Sequence, residues 1–183
     1  MESKTMRVIA GTFRGRKLLG PKSQPIRPTS DRVRESLFAI LGDMVVGARF
    51  ADLCAGTGSV GLEALSRGAW HTTFVEKSRG AVALLRKNVE ILGLGRNQVE
   101  IWTADVTRLS KPTEPWNIVF IDPPYNLAES IVARLAQRDI FEEGGLVILE
   151  HGGKEPISAE PFGLEVLDHR SYGETSITFL RKL

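Results

Sequence analysis

Asp52-Leu53-Cys54-Ala55-Gly56-Thr57-Gly58-Ser59-Val60-Gly61 is the stretch on which the fold turns. An apolar run stops at an acid, glycines let the backbone turn tightly, and the residues after Gly58 open a helix. Working outward, strand-like runs lie near 48–54, 71–76, 99–104, 117–122 and 145–150, with helix-like runs near 59–67, 79–92 and 127–138 between them. In the second helix Ala81, Leu84, Leu85, Val89 and Leu92 share a face, and Gly93 and Gly95 supply the stop. Strand alternating with helix implies a parallel sheet covered by helices. The end differs, because Leu164 to Tyr172 and Thr175 to Arg181 are two strand-like runs joined by Gly173-Glu174, a pair suited to a tight hairpin turn. The expected fold is therefore α/β: a mostly parallel seven-stranded sheet ending in an antiparallel hairpin, with helices on both faces.

The fourth strand ends in Ile121-Asp122-Pro123-Pro124-Tyr125. Two prolines forbid both helix and ladder pairing, so the acid and the ring are fixed at the carboxyl edge of the strand, where open α/β sheets bind ligands. An acceptor beside a flat ring suits a planar base with an exocyclic amino group: the acid orients the amine and the ring stacks on the base. The plainer alternative is a strand-to-loop stop with a buried aromatic.

The glycine loop also spells GxGxxG, so a dinucleotide-binding oxidoreductase must be weighed, with Glu76 as its ribose-binding acid. Asp52 argues against it, since a carboxylate just before the glycines repels a pyrophosphate and favours a ligand carrying an ammonium and a sulfonium. S-adenosylmethionine fits better. Gly56 and Gly58, with Cys54, Ala55 and Thr57 between and before them, would let the backbone approach this cofactor; Glu76 would hold its ribose hydroxyls and Asp105 its adenine amino group.

Charge is unevenly spread over the 183 residues. The first 36 hold nine lysines and arginines against three acids, whereas the remaining 147 hold fifteen against nineteen. Such a head is the footprint of a polyanion-binding appendage, or, more plainly, a solvated basic face. Met6 to Gly11 and Phe13 to Leu19 read as strands of a basic hairpin or arm over residues 1–28, ahead of a main domain over 29–183. After the prolines, Thr29 or Ser30 would cap a helix with Val33, Leu37, Ile40 and Leu41 inside and Arg32 and Glu35 outside. Arg7, Arg14, Arg16, Lys17, Arg27, Arg32 and Arg34 are the candidate phosphate contacts, some of which would pair with Asp31 or Glu35 instead. Trp70, Trp102 and Trp116 are expected in the core. One cysteine, Cys54, forms no internal disulfide, and three scattered histidines give no metal-ligand spacing, so no metal is expected. No apolar run reaches the length of a membrane span and no hydrophobic signal core follows the start, so a cytoplasmic protein is expected, as a monomer.

These motifs, in this order, resemble those of class I methyltransferases acting on exocyclic amino groups. Arg7-Val8-Ile9-Ala10-Gly11, Arg14-Gly15-Arg16-Lys17-Leu18, Arg27-Pro28-Thr29, Asp31-Arg32-Val33-Arg34-Glu35, Gly61-Leu62-Glu63-Ala64-Leu65-Ser66-Arg67-Gly68-Ala69 and Tyr172-Gly173-Glu174 resemble the signature of the RsmD-type guanine-N2 methyltransferases of bacterial small-subunit ribosomal RNA. The resemblance implies a Rossmann-like fold, S-adenosylmethionine as cofactor, and 16S rRNA or the assembling small subunit as partner, with the N2 of guanine 966 as the family's target. It also implies that Asp122, Pro123, Pro124 and Tyr125 form the reaction site, the acid and the Pro123 carbonyl accepting the amino hydrogens and the ring clamping the base. Tyr125 stands where the family often has Phe, and Cys54 where Phe is frequent. Because the Tyr form is also common in adenine-N6 methyltransferases, that activity is the alternative; an NAD-linked oxidoreductase or a noncatalytic RNA-binding protein is more distant.

Overall fold

The computed structural model describes residues 6–21 and 30–183. Arg27 and Thr29 lie outside the described residues. Among those residues the main sheet has seven strands: β3 (Arg49–Leu53), β4 (His71–Glu76), β5 (Val99–Thr103), β6 (Ile118–Ile121), β7 (Leu146–Gly152), β8 (Leu164–Tyr172) and β9 (Thr175–Lys182). A separate ribbon pairs β1 (Met6–Arg7) with β2 (Lys17–Leu18). The helices are α1 (Asp31–Leu41), α2 (Ser59–Ser66), α3 (Arg79–Leu92) and α4 (Ala128–Gln137). Strand order is β5-β4-β3-β6-β7-β9-β8, parallel through β7 and antiparallel in the closing hairpin. The order reverses between β3 and β6, which opens a crevice beyond their carboxyl ends.

Side-chain alternation along the strands divides the core in two. Phe50 and Phe120 point to one side, with Phe38, Leu62 and Leu85 from α1, α2 and α3; Ala51 and Val119 point to the other, with Ile131 and Leu135 from α4. Ser30 caps α1 by accepting from the Val33 amide at 3.2 Å. Along α3 the buried residues include Val82, Leu85, Asn88 and Leu92, whereas Leu84 and Val89 are only half-buried. Asn88 takes an inward position because its amide has three partners there. It accepts from Leu19 N at 2.7 Å and donates to Leu19 O at 3.1 Å and to Thr57 O at 3.0 Å.

The head is docked along α2, and its strands are two residues each, shorter than the alternation of its sequence suggests. The ladder is short because its amides go elsewhere. Ile9 N and Ala10 N donate to the Glu63 carboxylate at 2.8 and 3.0 Å, Thr12 N to Ser66 O at 2.7 Å, and Phe13 N to Ser66 Oγ at 2.9 Å. Gly11, at φ 81°, lies so close to α2 that a Cβ would sit 1.8 Å from Ser66 O. With Val8 and Leu18 buried beneath the hairpin, every residue of α2 is buried, and its polar Glu63 and Ser66 are buried because the head supplies their partners.

Arg34 is corrected from a phosphate contact to a buried strut. It is 1% exposed and donates to Arg7 O at 2.6 Å, to Asp31 Oδ1 at 3.0 Å and to Ser59 O at 3.4 Å, with its Nε 3.9 Å from fully buried Glu63. Burial lowers its pKa, opposed by Glu63 and Asp31. The tryptophans also divide. Trp116 is buried, donates to Thr73 Oγ1 at 3.2 Å and rests against half-buried Trp102, whereas Trp70 is 59% exposed beneath the Arg49 guanidinium, 5.1 Å from the ring centroid.

Candidate active site

The carboxyl ends of β3, β4, β5, β6 and β7 border one cleft of about 1200 Å³. The glycine loop forms its floor. Cys54 takes a left-handed φ of 65°, Ala55 N donates to Val75 O at 3.0 Å, and Gly58 N returns to Ala55 O at 2.8 Å. Two glycines here serve different ends. A Cβ on Gly58 would meet Leu85 Cδ1 at 2.3 Å, so its bareness lets α3 pack; a Cβ on Gly56, at φ 56°, would meet nothing within 4 Å, so its backbone faces the open cleft.

Each expected acid borders this cleft. Asp52 is buried and accepts from Gly61 N at 2.8 Å at the start of α2; burial pushes its carboxyl up to about 7 against that hydrogen bond, with Glu76 adding to the rise. Glu76 braces the loop, accepting from Gly56 N at 2.8 Å and Ser78 N at 2.7 Å, and a carboxylate so held keeps acceptor positions toward the cleft. Asp105 accepts from the amide and hydroxyl of Thr107 at 2.9 and 2.7 Å, and these bonds lower its pKa. The Cys54 thiol is pushed up to about 12 by burial and by Glu76, Asp122 and Asp52, which leaves it protonated and unsuited to nucleophilic attack.

Asp122 follows β6, and its amide donates to Leu53 O at 3.2 Å. Burial raises its pKa well above the usual carboxylate range, with Glu150 and then Asp52 adding to the rise. Pro123 is buried, Pro124 is exposed, and Leu127 N closes the following turn on Pro124 O at 2.8 Å. Tyr125 lies over the end of β7, its hydroxyl 2.8 Å from Thr175 Oγ1.

Glu150 is the cleft acid that sequence reasoning did not single out. Register pairs Phe120 with Ile148 and Ile121 with Leu149, so Asp122 and Glu150 are the next neighbours across β6 and β7, on the face that also carries Asp52. The signal was in Val147-Ile148-Leu149-Glu150, another apolar run that stops at an acid.

The basic residues divide. Arg7, Arg14, Arg16, Lys17 and Arg32 are exposed, Arg7 lying 3.7 Å from Asp31 and Arg16 donating to Ile91 O. The open end of the hairpin lies at the glycine loop, where Met6 Sδ is 3.7 Å from Thr57 Oγ1, and its turn at the far end of α2. The exposed cations therefore run from the cleft down that side. His151 and His169 both bond Thr178, at 2.8 and 2.9 Å, in the closing hairpin. Among the described residues no three His, Cys, Asp or Glu gather as a metal-ligand set, and no helix is long and apolar enough to cross a membrane.

This strand order, with a glycine loop at the switch point and acids on successive strand ends, defines a class I S-adenosylmethionine-dependent methyltransferase. The donor set fits that cofactor: a bare backbone turn, carboxylates for its cationic and hydroxyl groups, and apolar Val60, Val75 and Val106 for its base. The model of the family described as "Conserved hypothetical protein 95" matches residues 6–181, and the chain belongs to this family, the RsmD-like methyltransferases. It is 31% identical to "Putative rRNA methyltransferase YlbH" of Bacillus subtilis, over 97% of this chain and 99% of that one. Against "Ribosomal RNA small subunit methyltransferase D" of Escherichia coli strain K12 the identity is 40%, over 79% and 74%. The solved structure of "Putative methyltransferase yhhF from Escherichia coli" superposes with a TM-score of 0.82 at 32% identity, over 97% of this chain and 98% of that one.

Proposed function

We propose that the protein methylates the exocyclic N2 of a guanine in the 16S rRNA of the small ribosomal subunit, at the family position, guanine 966. One observation carries the reading: Asp122, Pro123 and Tyr125 open onto the same cleft as the glycine loop and its acids, with a basic hairpin running away from that cleft. The names of the Bacillus subtilis and Escherichia coli relatives support RNA as the substrate class.

In this reading Asp52, Cys54, Ala55, Gly56, Thr57, Gly58, Glu76 and Asp105 hold S-adenosylmethionine, which supplies an electrophilic methyl group on a sulfonium. Asp122 and the Pro123 carbonyl accept the two amino hydrogens, so the nitrogen lone pair is aimed for an in-line displacement. Tyr125 stacks on the base. An aryl amine is already unprotonated at neutral pH and needs no base before attack, which suits Asp122: a carboxyl raised by burial orients through its oxygen whether or not it is ionised. Arg7, Arg14, Arg16, Lys17 and Arg32 contact phosphate, and the target base is unpaired or flipped to reach the site.

The test is to incubate the protein with methyl-labelled S-adenosylmethionine and small-subunit rRNA or particles lacking the modification, then identify the labelled nucleoside. N2-methylguanosine is expected; label on adenine N6 would refute the assignment. Asp122→Ala should retain stabilisation by the demethylated cofactor yet lose about 100-fold or more in turnover.

A further inference from the structure

We propose that Thr175 is a positioning residue for methyl transfer, one that holds the hydroxyl end of the Tyr125 ring and so fixes where the ring stands in the base pocket. The proposal rests on the base-clamp reading of Tyr125 given above.

Gly152 and Thr175 are cross-strand partners where β7 ends and β9 begins. The ring of Tyr125 is fixed over this pair at two points. At its root, a Cβ on Gly152 would lie 2.6 Å from Tyr125 Cδ2 and 3.1 Å from its Cγ, so only a glycine lets the ring approach the strand this closely. At its tip, the Tyr125 hydroxyl is 2.8 Å from Thr175 Oγ1. Thr175 is itself 8% exposed and locked in two ladders, against Gly152 on β7 and Tyr172 on β8. A ring pinned at root and tip cannot swing sideways about its Cα–Cβ bond without breaking the contact at the tip, and that swing would carry it away from a stacked base. Rotation about its long axis leaves the hydroxyl in place and is limited instead by the close packing of Cδ2 on Gly152. The tip of the closing hairpin is anchored in turn, because the Tyr172 hydroxyl bonds Ser36 Oγ on α1, the helix following the head. The hydroxyl that Tyr125 carries and Phe lacks thereby ties the catalytic turn to the hairpin.

The test is a double-mutant cycle on the full chain, with rRNA as substrate and kcat and KM measured separately. A ring that stacks on the base equally before and during transfer contributes uniform binding, so Thr175→Val should raise KM for the RNA about fivefold with kcat nearly unchanged. Tyr125→Phe should do the same, the double variant should be no worse than either single one, and Thr175→Ser should restore the unaltered KM. Stabilisation of the protein by the demethylated cofactor should be the same in all of them. Multiplying effects in the double variant, or loss of that stabilisation in Thr175→Val, would overturn the proposal. Tyr125→Ala separates the two levels of inference. If it methylates like the unaltered chain, the clamp reading itself fails; if it is defective while Thr175→Val keeps its KM, the clamp stands and Thr175 has no part in it.

Discussion

Replacing Glu63 by glutamine should loosen the head from the body of the protein and lower the stability of the whole. The carboxylate is 0% exposed, and it accepts from Ile9 N and Ala10 N of the head and from Arg67 Nε at 2.8 Å, with Arg34 Nε 3.9 Å away. Glutamine has the same shape but a single acceptor oxygen, so one head amide loses its partner and buried Arg34 loses its closest buried counter-charge. Breaking a buried ion pair by removing one member costs about 3–5 kcal/mol, a large share of the stability of an ordinary domain. At roughly 2–4 °C per kcal/mol for a chain of this size, Tm should fall by about 6–20 °C. Urea unfolding followed by circular dichroism gives the same quantity as a lower midpoint at unchanged slope. Limited trypsinolysis supplies the local readout, because Arg14, Arg16 and Lys17 lie on the segment that Glu63 retains, and cleavage there should accelerate under native conditions. A loss below about 1 kcal/mol, the size expected of a surface pair, would refute the reasoning.

Two further outcomes follow from the charges. Asp52, raised to about 7 in the folded state, costs no stability while protonated in both states, and its cost grows as pH rises from the unfolded carboxyl range toward 7. Asp52→Asn should therefore gain relative to the unaltered chain by up to about 1.4 kcal/mol per pH unit over that window, and a flat difference in denaturation midpoints would contradict it. Charge reversal at Arg14 or Lys17 should weaken rRNA binding and reduce the salt dependence of its logarithm by about one unit per lost phosphate contact, with stabilisation by the cofactor unchanged; an unaltered salt slope would remove that residue from the interface.

What could be read from the sequence was what local pattern controls. The parallel strands and α3 were legible because local signals mark them, an acid in or just beyond the last residues of β3, β4, β5 and β6 and one apolar face closed by Gly93 in α3, all within a few residues of one another. The cleft acids were legible for the same reason, and Glu150 carried the same signal. The head was read less well. Its amides bond Glu63 and Ser66, more than fifty residues away, and no alternation within Met6 to Leu19 announces that the ladder will be cut to two residues a side. Arg34 lies in a helix between exposed Arg32 and Glu35, and what covers it, the docked hairpin at Arg7 and α2 at Ser59 and Glu63, is distant in sequence. Trp70 is exposed because it stands where the chain enters β4, at the opposite end of that strand from the cleft.

Asn88 bears on any attempt to dissect the protein. Its side chain holds the end of the head, at Leu19, and the cofactor loop, at Thr57, from a single fully buried position. Cutting away the first twenty residues would leave that amide with one donor and its acceptor stranded beneath the glycine loop, and would also strip Met6 from Thr57. A truncated catalytic body would thus be altered at its cofactor floor as well as deprived of its basic hairpin. Weak activity in such a fragment would not measure what the hairpin contributes to gripping RNA; point changes at the exposed cations, which leave Asn88 its three partners, do.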